Sequence, residues 1–151
     1  METTDQKKRR LFGKQYLPSY LKELNKITKR QVAASDLLTI VDTDELYDVK
    51  FQNTPICTIR LKFEDKAELE KLLEDLRSQK DTEYFLFTSY SGDCGTLKIK
   101  SLKEFNIDFS FSDEHAGLIS LISEDLSQKI LLDFYEEEGI EYLEVEVYRK
   151  I

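Results

Sequence analysis

The sequence predicts an α+β fold. One domain is expected, with a predominantly antiparallel meander of about seven to eight strands and two helices packed on it. Three observations predict it. Short runs of alternating apolar and polar residues, separated by turn residues, recur from 84 to 148. Two segments, 18–30 and 66–79, instead repeat apolar residues at helical spacing. A chain of 151 residues is the size of one domain with a real core.

Residues 1–13 read as a flexible basic arm and 14–151 as the domain. Pro18 suits the first position of a helix, and Leu21, Leu24 and Ile27 follow three apart with Lys and Glu between them. Residues 31–45 stay open: Ser35 and Asp36 could cap a short helix through Leu37, Leu38 and Val41, or Ile40 and Val41 could be extended. Tyr47, Val49 and Phe51 then alternate with Asp48 and Lys50, Asn53-Thr54-Pro55 is a turn signal, and Ile59, Leu61 and Phe63 alternate with Arg60 and Lys62. These two runs predict a β-hairpin.

Asp65 is expected to cap a helix over about 66–79, with Leu69, Leu72, Leu73 and Leu76 on one face. Strands follow at 84–90 and 96–102, reversing tightly at SGDCG. Further strands are expected at 105–111, 118–122 and 130–135, with SDEHAG as the turn after 111. The densest apolar run, ILLDFY, is expected at the centre of the sheet. The last strand, 142–148, turns Leu143, Val145 and Val147 inward and Glu144 and Glu146 outward.

Charge is divided unevenly along this chain. Residues 1–30 hold nine basic and three acidic side chains, a net of +6, so with the whole at −8 the remainder carries −14. From Asp133 to Glu146 there are seven carboxylates and no Lys or Arg. Such a field favours and steers cationic partners. Nine Phe and eight Tyr argue against disorder. There is no apolar run of about 18 residues and no apolar stretch after the charged start, so neither a membrane span nor a secretory signal is expected. Two widely spaced cysteines do not make a disulfide framework, and a reduced, cytoplasmic protein is expected.

Catalytic patterns are weak. One His and two distant Cys do not form a zinc set, and Asp42-Thr43-Asp44-Glu45 lacks the glycine and the spacing of a calcium loop; no metal and no cofactor is expected. A Cys94–His115 pair is conceivable if their two turns meet, but Asp93, Asp113 and Glu114 would disfavour a thiolate. SGDCG lacks the Gly-Lys-Ser/Thr ending of a phosphate loop.

Two binding surfaces remain. The basic segment, with KKRR at 7–10, Lys14, Lys22, Lys26, Lys29 and Arg30 and with Tyr16 and Tyr20 nearby, could contact nucleic-acid phosphates, against the repulsion of an acidic body. The final hairpin offers Asp133, Glu136, Glu137, Glu138, Glu141, Glu144 and Glu146 to a cationic protein, with Tyr142 and Tyr148 as central packing residues. A solvated face that serves only solubility is the competing explanation.

The single small acidic α+β domain, the want of a catalytic constellation and the hairpin DFYEEEGIEYLEVEVY (133–148) together resemble, at the level of class, the bacterial immunity proteins that neutralise contact-dependent or secreted polymorphic toxins. The resemblance implies a non-catalytic inhibitor whose carboxylates stand in for phosphates in a basic nuclease cleft. It transfers no individual residue, and the basic segment is not part of it.

Overall fold

The computed structural model describes residues 1–79, 81–106 and 118–151. Helices α1 (Thr4–Gly13), α2 (Leu17–Ile27) and α3 (Ile40–Tyr47) precede strand β1 (Cys57–Lys62). Helix α4 (Lys66–Gln79), β2 (Tyr84–Phe87), the one-turn helix α5 (Ser91–Cys94) and β3 (Leu97–Ile99) follow. The chain ends in β4 (Leu118–Ser123), β5 (Gln128–Glu137) and β6 (Ile140–Arg149). Neighbouring strands are all antiparallel, in the order β1-β6-β5-β4-β2-β3. The fold is therefore α+β with an open antiparallel sheet.

Helix α4 occupies the span its leucine period predicts, and α2 stops three residues short of 30 at a Thr28 whose N–H still reaches Leu24 O. Tyr20, Leu24 and Ile27 of α2 and Leu69, Leu73 and Leu76 of α4 cover one sheet face. They bury Leu86, Leu121, Ile130, Leu132, Leu143, Val145 and Val147. β5 lies inside the sheet, as its apolar density predicts. On the opposite face α3 closes only the β2–β4 end, where Leu46 packs on Phe87 and Ile122. Among the described residues no helix covers the outer side of β5, β6 and β1.

Four expectations need correction. The described residues form six strands, not seven to eight, and only β4-β5-β6 is a meander. The strand at 105–111 and the SDEHAG turn lie, from Ile107 onward, outside the described residues.

The 47–51 and 56–63 runs do not pair. Tyr47 ends α3, which Thr39 caps by accepting from Asp42 N at 3.1 Å. Phe51 meets the sheet only at a bridge to Lys150. β1 pairs instead with β6, from Cys57↔Val147 to Lys62↔Tyr142. Only the first of the three alternating residues is helical, and a ten-residue partner strand offers β1 a longer ladder than a local hairpin could.

SGDCG is not a tight reversal. Its first four residues are α5, and the β2–β3 pairing it connects is shorter than expected.

The segment 1–13 is a docked helix rather than a loose arm. Thr3 and Gln6 make a reciprocal capping box, Thr3 N donating to Gln6 Oε1 at 2.8 Å and Gln6 N to Thr3 Oγ1 at 3.1 Å. Arg9 Nη1 donates to Asp44 Oδ1 at 3.1 Å and to Gly92 O at 2.9 Å, and Arg9 Nη2 to Asp44 Oδ2. At the end of α1 the backbones come so close that a Cβ on Gly13 would sit 2.2 Å from Asp93 O.

These contacts define a pH window. The hydrogen bonds from Arg9, more than its charge, hold the Asp44 carboxyl below its ordinary value. A lowered folded value means a contribution that is present above about pH 4 and lost as pH falls through the folded value. Arg9→Ala is expected to lower stability by about 1–2 kcal/mol at neutral pH, a difference that shrinks below about pH 4. Urea unfolding at pH 7 and pH 3 measures it; an unchanged midpoint at pH 7 would mean that α1 is not held by this contact.

Candidate partner-binding face

The β5–β6 hairpin closes at Glu138 and Gly139, whose φ values of 52° and 80° match the right-handed twist of the strands they join. Pairing then runs without interruption from Glu137↔Ile140 to Gln128↔Arg149. Because side chains alternate, Leu143, Val145 and Val147 enter the core at 1% exposure each, and Tyr142, Glu144, Glu146 and Tyr148 stand on the other face. Lys129, Leu131, Asp133, Tyr135 and Glu137 of β5 and Thr58, Arg60 and Lys62 of β1 share that face by register.

The fold divides the acidic residues expected to act together. Glu137, Tyr142, Glu144, Glu146 and Tyr148 are brought onto one face with Asp133. Glu136 and Glu141 lie directly opposite each other on the reverse face, and Glu138 sits in the turn. The tyrosines are not central either. Tyr142 and Tyr148 are six residues apart on one strand, roughly 20 Å, with the carboxylates between them.

On this face the carboxylates of Asp133, Glu137, Glu144 and Glu146 stand among Lys129, Arg60 and Lys62. Asp133 lies directly across from Glu144, and among the described residues neither carboxylate has a hydrogen-bond or ion-pair partner. Glu146 accepts the hydroxyl hydrogen of Tyr148. That hydrogen bond, then burial, pushes the Tyr148 phenol up to about 12. A raised value keeps the phenol donating up to alkaline pH, the contribution being lost only as pH rises from about 10 toward the folded value. Glu146→Gln is expected to return Tyr148 toward ordinary tyrosine behaviour, read as an earlier phenolate absorbance step in alkaline titration. An unmoved step would remove the Tyr148–Glu146 bond from the description of this face.

Arg60 is the residue that sequence reasoning missed here. It stands opposite Glu144 in the β1–β6 ladder, yet its Nη2 donates to Glu137 Oε2 at 2.8 Å. Its guanidinium carbon lies 3.9 Å from the Tyr142 ring centroid and 5.6 Å from that of Tyr135. Those two rings stack at 5.7 Å and 28°. No local signal could place Arg60 there, because it depends on which strand pairs with β6.

The other candidates fare differently. Cys94 Sγ donates to Gly13 O at 3.4 Å, and burial, with Asp93 second, pushes the thiol up to about 11, so it stays protonated at neutral pH. His115 lies outside the described residues. Cys57 and Cys94 are both free. Among the described residues no group of three His, Cys, Asp or Glu could hold a metal ion, and no helix is long and apolar enough to cross a membrane.

The basic motif at 7–10 is split by the helix it forms. Arg9 pairs with Asp44 and Asp5, and Arg10 with Glu2. Lys7, Lys8 and Lys14 point outward on an arc that also carries Leu11 and Phe12, 47% and 55% exposed. No protein-family model, no curated protein and no solved structure matches this chain.

Proposed function

We propose that this protein is a non-catalytic binding domain whose outer β5–β6–β1 face recognises a cationic protein, as an immunity protein would recognise a basic, nuclease-like toxin. The observation that carries the reading is Asp133 directly across from Glu144, with Glu146 beside them. Like charges in register weaken a sheet, where an opposite-charge pair would strengthen it by about 0.2–1 kcal/mol. Arg60, across the other ladder from Glu144, is engaged with Glu137 and Tyr142, so the Asp133–Glu144 pair is left for a partner that supplies Lys or Arg through charge-assisted hydrogen bonds.

A second reading rests on α1, whose outward lysines and Phe12 suit a phosphate backbone with unpaired bases. One experiment separates the two. The purified protein is immobilised, exposed to lysate of its native host, and washed at low and then high salt, with Glu144→Lys/Glu146→Lys as the control surface. A stoichiometric basic protein that salt releases and the control fails to retain supports the face. Nucleic acid retained equally by both surfaces supports α1. The same protein held by both surfaces, or an empty eluate, overturns the first reading.

A further inference from the structure

Seven carboxylates lie between 133 and 146, and the fold brings one guanidinium among them, from another strand. The nearest cross-strand acid to Arg60 is Glu144, and a simple ladder would pair them. Arg60 instead lies on the Tyr142 ring and bonds Glu137, leaving Glu144 and Asp133 to face each other. The Tyr135–Tyr142 stack presents a flat π surface, and Glu137 supplies a carboxylate at its rim. A planar guanidinium satisfies both at once, by stacking on the ring and donating in its own plane. An ammonium group is compact and more strongly hydrated, and matches this geometry less well.

Resting on the reading above, we propose that Tyr135, Tyr142 and Glu137 form a guanidinium-binding site. Arg60 fills it in the free protein, and an arginine of the cationic partner takes it over on binding. The resident is held loosely enough to exchange: the Arg60 and Glu137 side chains are 47% and 60% exposed, so water and salt screen their ion pair. Its departure leaves no buried orphaned charge, because the half-exposed guanidinium returns to water. The site thus selects arginine-bearing partners, and Arg60 sets how much a newcomer must gain to enter.

Fluorescent hexa-arginine and hexa-lysine peptides, titrated at low salt, test this. Removing one positive charge helps both peptides, but only a guanidinium uses the vacated rings. Arg60→Ala is expected to tighten hexa-arginine binding about tenfold and hexa-lysine about threefold or less, and adding Tyr142→Leu should erase the difference. Equal gains for both peptides, or a difference that survives loss of the Tyr142 ring, overturn the proposal. The Arg60 Nε–H resonance gives a second readout in the unaltered protein. It should shift on adding hexa-arginine and not hexa-lysine, and a resonance that stays put with both also overturns it. Either failure leaves the acidic face itself standing, since that depends on whether Glu144→Lys/Glu146→Lys weakens both peptides alike. Circular dichroism of each variant establishes that the sheet is intact.

Discussion

Glu144→Lys combined with Glu146→Lys is expected to weaken binding of the cationic partner by at least about 100-fold, close to 3 kcal/mol, and to flatten its salt dependence. The two positions lie on the open face of β6, between Thr58 and Arg60 on one side and Leu131 and Asp133 on the other. Reversal turns two attractive contacts into repulsive ones at the middle of the proposed interface. The same change should leave the fold within about 1 kcal/mol of the parent, because a lysine at 144 gains Asp133 across one ladder as it loses Arg60 across the other. The main loss is then the bond from Tyr148 to Glu146. Titration calorimetry at two salt concentrations and urea unfolding measure the two halves of the prediction. Full affinity in the double variant removes the face from the account of binding. A collapse of stability would mean that the acids serve the fold.

Gly95→Ala is expected to cost about 3 kcal/mol or more, a large part of a typical domain's stability of about 5–15 kcal/mol. Gly95 has a φ of 100°, where a side chain is strained, and a Cβ there would lie 2.1 Å from Leu38 O. The clash is with backbone, so no rotamer relieves it. The surrounding contacts are tight. Tyr20 Oη donates to Gly95 O at 2.6 Å and lies 3.1 Å from Ser91 Oγ, while Leu38 N donates to Thr96 O at 2.9 Å. One point thus ties α2, α5, β3 and the segment ahead of α3 together. Tyr20→Phe, which removes only the hydroxyl, should cost about 1–2 kcal/mol and serves as the comparison in urea unfolding. A Gly95→Ala loss no larger than that of Tyr20→Phe would mean that the segment at Leu38 moves away without penalty.

The parts of this protein that were legible before folding are those whose signal is short. Leu69, Leu72, Leu73 and Leu76 mark α4 within two turns, and the alternation of Leu143, Val145 and Val147 marks the inner side of β6. Helix α1 was also written in the sequence, as the Thr3–Gln6 capping box that precedes the basic run at 7–10. The Tyr47, Val49 and Phe51 alternation is broken by the helix that Thr39 caps, which ends at Tyr47, while Phe51 meets the sheet only at a bridge.

By itself the sequence determined the fold class, the covering helix, the last hairpin and the outward direction of Glu144 and Glu146. Each follows from a period of two or 3.6 residues acting over a few neighbours. Only the tertiary structure decided that β1 pairs with β6, so that Arg60 reaches Glu137 from 77 residues away. It also decided that α3 closes one end of the sheet face, while among the described residues no helix covers the other. Strand partners are chosen by burial and ladder length over the whole chain, which no local pattern encodes. The electrostatics of this face depend on that choice.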